Sequence, residues 1–95
     1  SVLRVGKLLA GDGEELCMIR NISSGGLMAH VYSHHMRGDR VAVETRNGHL
    51  LAGAVAWFQS GQMGMSFDDP IDVLDFLHDE QENLGGQRAR APRLT

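Results

Sequence analysis

A short polar segment carries residue types that could do chemistry. Residues Asn21 to Gly26 spell N-I-S-S-G-G and follow an apolar run. An amide such as Asn21 and a hydroxyl such as Ser23 can hydrogen-bond the edge of a planar ligand, and glycine tolerates a positive φ that lets backbone amides face an anion. The same composition suits a polar turn whose Asn and Ser side chains bond their own backbone. On local composition alone the turn is the commoner outcome, so other segments of the chain are needed to distinguish a turn from a ligand site.

Two arginines are candidates for binding the charge of an anionic ligand. Arg4 lies in the first apolar run, and Arg20 directly precedes the polar segment. A guanidinium can bind a phosphate through two parallel hydrogen bonds and can stack on a flat ring. A strand residue that points into water is the alternative interpretation for each. The C-terminal arginines Arg88, Arg90 and Arg93 could fold over an anion or form a flexible basic end.

The histidines and acids do not complete a metal or catalytic site. His30 and His34 have the H-x-x-x-H spacing that ligates zinc when a helix places both rings on one face. With His35 they fall at a predicted strand end and loop, and no acid follows before Asp39. No serine lies in a G-x-S-x-G elbow, and no carboxylate pair sits among apolar residues. We therefore expect no catalytic residues, no metal site and no enzymatic activity.

The single cysteine and the lengths of the apolar runs bear on the compartment. Cys17 cannot form an internal disulfide, and its apolar neighbours indicate a buried thiol rather than a reactive one. The longest uncharged apolar stretch, Leu50 to Phe58, has nine residues, too few to span a bilayer. We expect a cytoplasmic protein without membrane insertion or signal sequence. Because the chain opens at Ser1 rather than at a methionine, we expect a fragment or a trimmed chain.

Size and charge exclude other classes of function. A chain of 95 residues, 42% hydrophobic and 22% charged, suits one soluble globular domain. Its core is small, so a deep enzyme cleft would leave too few residues to form that core. The net charge is −3, and residues 68–95 hold seven acids and three arginines, a sum of −4, which leaves +1 for residues 1–67. No concentrated basic face is present, so we expect no DNA or RNA partner.

Period-2 alternation between turn signals predicts six short strands. Asn47-Gly48 is the strongest hairpin signal, and Gly11-Asp12-Gly13 is another turn. In the Leu51–Trp57 run we place Trp57 on the side of Leu51, with alanines on the other side. The predicted strands are Val2–Leu9, Leu16–Ile22, Leu27–Val31, Val41–Thr45, Leu51–Trp57 and Met63–Phe67.

A helix is predicted after the last strand. Asp68-Asp69-Pro70 offers an acidic N-cap and a proline at the first helical position. Ile71, Leu74 and Leu77 then share one face, with Phe76 as a further candidate. Gly85-Gly86 ends the helix. The expected fold is mainly β: a small six-stranded antiparallel barrel with a C-terminal α-helix over residues 1–84, followed by a flexible tail over 85–95.

Four segments in order resemble the PilZ domain family. Asn21, Ser23 and Gly26 match the family's [D/N]-x-S-x-x-G signature. The other three are Gly38-Asp39-Arg40-Val41, which resembles the start of the family's middle hairpin, Gly53-Ala54-Val55-Ala56-Trp57, which resembles G-x-V-x-W, and Gly64-Met65-Ser66-Phe67, which resembles G-x-x-F. The resemblance covers about residues 2–77.

The resemblance implies a fold and a ligand. PilZ domains are six-stranded antiparallel barrels, and many bind the bacterial second messenger cyclic di-GMP. By this resemblance Asn21 and Ser23 would hydrogen-bond a guanine, and Gly26 would shape the turn beneath it. The implied function is signal transduction without a cofactor, in which nucleotide binding changes the contacts of a protein partner.

The family's other signature, R-x-x-x-R before the first strand, is not matched. Arg4 is followed four positions later by Leu8, and Lys7 has the wrong spacing and chemistry. Either the pair lies upstream of Ser1 in a longer chain, with Arg4 as one surviving member, or the domain lacks the pair. In the second case it binds the nucleotide weakly or not at all. The alternative function is then a degenerate PilZ domain that acts as a protein-interaction module, through its barrel surface or the helix.

Overall fold

The structure is a computed structural model that describes residues 4–79. Within them the chain forms six strands and one short helix, α1, at residues 73–79. The strands are β1 (Arg4–Ala10), β2 (Gly13–Ile22), β3 (Gly26–His30), β4 (Arg40–Thr45), β5 (Leu50–Gln59) and β6 (Gln62–Phe67).

The strands close into an antiparallel barrel in the order β1-β2-β3-β6-β5-β4, and the predicted fold is confirmed. Closure leaves every strand with two hydrogen-bonded neighbours, so none presents an unpaired edge. The two predicted turns are present, with Gly11 at φ 58° and Gly48 at φ 89°, a conformation that favours glycine.

Inward-facing residues of all six strands form the core. Alternation along each strand sends every second side chain inside, which is the pattern that the sequence displays. Cys17 is among the buried residues, as predicted. The buried hydrophobic residues are Leu8, Cys17, Ile19, Leu27, Ala29, Val31, Val41, Val43, Leu51, Val55, Met63, Met65 and Phe76.

One predicted side-chain direction in β5 is wrong. Leu51, Gly53 and Val55 face inward, but Trp57, predicted on the same side of the strand, is 42% exposed. The pairing of β5 with β6 shifts register between Val55 and Trp57, so the strand contains an extra residue at this point. Such a bulge reverses the alternation beyond it, and the indole therefore lies on the outside of the barrel.

The predicted helix start is also wrong. Helix α1 begins at residue 73, and Asp72 caps it by accepting a 3.0 Å hydrogen bond from the backbone N–H of Asp75. Asp69, the expected cap, lies ahead of the helix, and its neighbour Asp68 forms a bidentate ion pair with Arg40. Pro70 lies ahead of the helix rather than at its first position.

The predicted apolar face of α1 needs one correction. Phe76 is buried in the core, and Ile71 and Leu77 pack partly buried against it. Leu74, assigned to the same face, is 80% exposed. With the helix beginning three residues later than predicted, Phe76 becomes its anchor, while Leu74 faces solvent.

Some predictions fall outside the described residues. These are the helix end at Gly85-Gly86 and the tail over residues 85–95, with its three arginines. No helix within residues 4–79 is both long and apolar enough to cross a membrane.

Candidate functional site

A bulge near the end of β2 turns the first candidate residue outward. Ile19 pairs with Ala29 of β3, but the next pair is Asn21 with Met28, so Arg20 is the extra residue of β2. Without the bulge, Asn21 would alternate in phase with the buried Ile19 and point into the core. With it, Arg20 and Asn21 are both exposed.

The bend after β2 is tied to the barrel through its carbonyl groups. The backbone N–H of Ser23 donates to the carbonyl of Gly26 at 2.8 Å, and Ser23 Oγ donates to the same oxygen at 3.3 Å. The carbonyl of Gly25 accepts from Phe67 N at 2.8 Å, and that of Ser24 accepts from Ile71 N at 2.9 Å. These contacts fix the bend between β6 and the segment before α1, and leave its side chains exposed.

Gly26 is required by a close approach of two strands. A Cβ atom added there would lie 2.1 Å from the carbonyl oxygen of Met65 in β6. Neither Gly25 nor Gly26 has a positive φ, so the expected left-handed glycine is not found in this bend. The role of Gly26 is therefore to let β3 and β6 meet directly beneath the candidate site.

The side chains of the bend line a shallow depression of about 150 Å³. This volume is smaller than a typical site for a drug-sized ligand. A dinucleotide cannot be enclosed there, although the edge of one base could enter. The residues that line the depression are Asn21, Ile22, Ser23, Gly26, Leu27 and Met28.

Asn21 has a side chain with no hydrogen-bond partner among the described residues. The alternative interpretation, in which Asn and Ser bond their own backbone, therefore holds for Ser23 but not for Asn21. An exposed amide on a strand end keeps both its donor and its acceptor for a ligand. The structure thus brings three predicted residues, Asn21, Ser23 and Gly26, around one depression.

The two candidate arginines lie near the depression in the fold but do not line it. Arg4 pairs with Ile19, next to the bulge, and Arg20 is the bulged residue itself. Arg4 is half-buried, in phase with the buried Leu8, and its Nε atom is buried without an acceptor in the described part of the chain. A buried donor left unpaired costs free energy, which an added acceptor would recover.

The position that would hold the second arginine of R-x-x-x-R is part of the core. Leu8 is 1% exposed and belongs to the buried cluster of the barrel. An arginine there would place a charge inside the barrel, which is strongly unfavourable. Arg4 therefore cannot be the first member of a pair completed at position 8.

A row of side chains on the outer surface extends from the candidate site, and sequence reasoning missed it. Asn21 of β2 lies opposite Met28 of β3, Met28 opposite Gly64 of β6, and Gly64 opposite Trp57 of β5. The indole of Trp57 lies over Gly64, which has no side chain to displace it. Alternation alone placed Trp57 on the side of Leu51, because the bulge in β5 leaves no signal in the sequence.

The opposite end of β2 carries a separate polar cluster. The Glu15 carboxylate accepts hydrogen bonds from Ser33 Oγ at 2.7 Å, Tyr32 N at 3.2 Å and Ser33 N at 3.3 Å. Buried His35 lies with Nε2 3.1 Å from Ser33 Oγ and 3.6 Å from Glu15 Oε2. The Glu15 carboxylate and the His35 ring nitrogen thus both contact the Ser33 hydroxyl. These contacts hold the segment of residues 31–39 against the barrel.

Two ionisable groups near this cluster have shifted pKa values. Burial acts to raise the pKa of Glu15, but the hydrogen bonds from Ser33 and Tyr32 outweigh it, so the pKa lies below its ordinary value. Burial, followed by the charge of Glu15, raises the pKa of Cys17 to about 11. Among residues 4–79, no three His, Cys, Asp or Glu side chains are grouped so that they could hold a metal ion.

Sequence comparison matches the chain to no protein-family model and to no curated protein. The resemblance to PilZ domains therefore depends on the four short segments. Gly26, Gly53 and Gly64, one from each of three segments, occupy places where a Cβ atom would come within 2.1 Å of a neighbouring atom. The glycine spacing of those segments is thus explained by the packing of β3, β5 and β6, whatever the ligand.

Proposed function

We propose that this chain is a PilZ-like effector domain that binds cyclic di-GMP on the outer surface of its barrel and relays binding to a protein partner. The observation that carries the proposal is the amide of Asn21, which has no hydrogen-bond partner within residues 4–79 and which the bulge in β2 turns outward. It stands beside Ser23 and Gly26 in the N-x-S-x-x-G pattern of the family.

The edge of a guanine would bind at the depression. A guanine edge presents adjacent donors and acceptors, which an amide can match on a rigid strand end. The 3.3 Å bond of Ser23 Oγ to the Gly26 carbonyl is long for a hydroxyl donor, so the hydroxyl can exchange it for a ligand atom. Discrimination would arise because a wrong base leaves these groups unpaired.

The phosphates would lie toward the strand end that bears the two arginines. Arg20 is exposed at the bulge and can bond a phosphate oxygen. Arg4 would have to turn its half-buried side chain outward before its guanidinium, whose Nε is buried without a partner among the described residues, could bond a second one. The two arginines do not have the spacing of the family's R-x-x-x-R pair, so we expect weaker binding than a complete pair would give.

The outer row supplies apolar surface beside the depression. Met28 lies next to Asn21, and the indole of Trp57 lies over Gly64 one strand further. At about 4.8 Å for each strand spacing, the row from Asn21 to Gly64 covers about 10 Å. A base can stack on such a surface without being enclosed, which agrees with the small volume of the depression.

Isothermal titration calorimetry with cyclic di-GMP tests the proposal. Asn21→Ala should weaken binding by about 1–3 kcal/mol, or roughly 5- to 150-fold. The matched control is Asn47→Ala, since Asn47 lies at the β4–β5 turn and bonds the carbonyl of Asp79. Equal affinities for both variants would place the site elsewhere, and no heat at high micromolar ligand would refute binding by this chain.

The alternative is a PilZ-like domain without a nucleotide, which acts as a protein-interaction module. The observation in its favour is that position 8, which would complete a pair with Arg4, holds a leucine buried in the core. A longer chain that includes any R-x-x-x-R pair upstream of Ser1 separates the two proposals. Binding that appears only in that chain supports the effector, and its absence from both chains supports the module.

A further inference from the structure

A groove of about 350 Å³ lies between α1 and the start of β5. Its apolar lining is mostly buried: Leu51 is 9% and Phe76 7% exposed, and Ile71 packs partly buried against the core. Its polar lining is mostly exposed, so the groove has an apolar base and a polar rim. The polar residues are His49, Asp72, Asp75, His78 and Asp79.

The rim carries acids that the groove does not balance. Asp72, Asp75 and Asp79 supply three carboxylates, and no lysine or arginine of residues 4–79 lines the groove. Asp79 Oδ2 lies 3.3 Å from His49 Nε2, and Asp72 accepts the hydrogen bond that starts α1. The Asp75 carboxylate has no hydrogen bond or ion pair with any described residue. A cation with an apolar stem would contact both parts of the groove.

Arginine side chains match this groove in shape and in charge. The methylene stem of an arginine can pack on an apolar base while its guanidinium stays at the wet rim. The guanidinium also bonds a carboxylate through two parallel hydrogen bonds, which an ammonium group cannot do. Ligand pockets measure roughly 300–1,000 Å³, so this groove is at the small end and suits side chains of an extended segment.

The chain itself supplies arginines close to the groove. The described residues end at Asp79, on the rim, and the sequence continues for residues 80–95. Residues 83–95 contain no acid and three arginines, Arg88, Arg90 and Arg93. Arg88 is nine residues beyond Asp79, a stretch that spans up to about 30 Å when extended. Gly85-Gly86 in between allows the chain to turn back. The arginines can therefore reach the groove.

Two of these arginines have the spacing of two acids on the rim. Arg88 and Arg90 are two residues apart, so in an extended segment their side chains lie on one side, about 6.7 Å apart. Asp75 and Asp79 are four residues apart on α1, so they share a face and lie about 6 Å apart along its axis. A chain that returns past Asp79 would bring Arg88 to Asp79 and Arg90 to Asp75.

We propose that residues 87–95 dock in this groove of the same chain, with Arg88 and Arg90 bound to Asp79 and Asp75. Each exposed ion pair contributes little free energy. Tethering, however, gives the segment an effective concentration on the order of millimolar, so a weak contact suffices. The docked segment would cover the apolar base of the groove. The inference does not depend on cyclic di-GMP, because the groove shares no residue with the depression at Asn21.

A peptide of residues 87–95 tests the contact between separate molecules. The receptor is the full ¹⁵N-labelled chain with Arg88→Ser and Arg90→Ser, so that its own segment does not compete. Unlabelled peptide should shift the amides of residues 49–51 saturably, with a Kd of about 1 mM or tighter. These amides are the readout because they are distant in sequence from the segment. A peptide with serine at both arginine positions should not bind, and Asp75→Lys in the receptor should weaken binding at least about tenfold.

Variants of the labelled chain test docking within one molecule. Arg90→Ser should shift the amides of residues 49–51, whereas Arg37→Ser, the loss of an exposed arginine that does not line the groove, should not. Asp75→Lys combined with Arg90→Glu should return these signals toward those of the unaltered chain, since the two charges are exchanged. The dispersion of each spectrum shows that the barrel has remained folded.

Three results would overturn the proposal. The first is a peptide that causes no shifts at about 10 mM, or that binds equally well without its arginines. The second is an Arg90→Ser variant with unchanged signals in residues 49–51. The third is a set of groove signals that changes as the unaltered chain is concentrated from about 50 μM to about 1 mM, because the groove would then hold the segment of a second copy.

Discussion

The indole of Trp57 lies over the backbone of Gly64, opposite it in the barrel. A Cβ atom at Gly64 would stand 2.0 Å from Trp57 Nε1 and 2.3 Å from Cε2, far inside contact distance. The ring covers the glycine from the outside. The G-x-V-x-W segment of β5 and the G-x-x-F segment of β6 therefore meet in one contact, where the first supplies the ring and the second the space for it.

Gly64→Ala should displace the indole and destabilise the barrel by about 1–3 kcal/mol, as overpacking does. Denaturant unfolding measures the loss, and the emission of Trp57, the single tryptophan of the chain, reports the displaced ring. Gly25→Ala is the matched control, because a Cβ there meets nothing within 4 Å and the backbone has no positive φ. Equal stability and equal emission for both variants would show that the ring does not need the glycine.

Glu15 should contribute to stability in a pH-dependent way. Its folded-state pKa lies below the ordinary value because Ser33 and Tyr32 donate hydrogen bonds to the carboxylate, despite the opposing effect of burial. The stabilisation is thus present above the unfolded-state pKa of about 4.3, and is lost as the pH falls through the lower folded-state value.

Glu15→Gln should therefore lower the free energy of unfolding at pH 7 by about 1–2 kcal/mol and have a smaller effect at pH 3. Urea unfolding at both pH values measures the difference. Glu14→Gln serves as control, since the ion pair of Glu14 with Lys7 is exposed and contributes little to stability. A Glu15→Gln effect that is the same at both pH values would mean that ionisation of this carboxyl does not matter.

Cys17 should be inert in the folded protein. Burial and the nearby charge of Glu15 raise the pKa of its thiol to about 11, so at pH 8 little thiolate forms and reagents have no access. A disulfide-exchange reagent should react at least about 100-fold more slowly with the native chain than with the chain in denaturant. Comparable rates in the two conditions would show that the thiol is exposed or activated.

Asp72, rather than the acids before it, should stabilise the start of α1. Asp72→Ala removes the acceptor for the N–H of Asp75 and should cost about 1 kcal/mol, a typical value for an N-cap. Asp69→Ala, the corresponding change at an acid expected from sequence to cap the helix, should cost much less. Thermal unfolding compares the stabilities of the two variants. A larger loss of stability for Asp69→Ala would show that the helix starts at Pro70, as the sequence predicts.

The barrel is predictable because its signals are local. Alternation gives each strand an inner and an outer face, and Asn47-Gly48 fixes the β4–β5 hairpin with Gly48 at positive φ. The two bulges are not local features. Each arises where two paired strands shift register, between Ile19 and Asn21 in β2 and between Val55 and Trp57 in β5. The positions of the bulges depend on how the strands pair, and alternation within one strand does not predict them.

The candidate site was likewise predictable where the signal is local and not where it depends on strand pairing. Sequence reasoning found Asn21 and Ser23 through a motif, but the outward direction of Asn21 depends on the bulge beside it. It also assigned Gly26 to a turn, which the Gly26 carbonyl does close, but the close approach of β3 to β6 at this residue is seen only in the structure. Trp57 was placed on the side of Leu51 because the second bulge was not predicted. Motif matching thus recovered residue types, and the strand pairing decided which way they point.

The most direct measurement is a ¹⁵N–¹H correlation spectrum of the chain recorded during titration with cyclic di-GMP. The account predicts saturable chemical-shift changes in the amides of residues 20–28 and in the indole N–H of Trp57. The amides of the Asn47-Gly48 turn, between β4 and β5, should not change. A spectrum unchanged at millimolar nucleotide, or shifts confined to that turn, would contradict it.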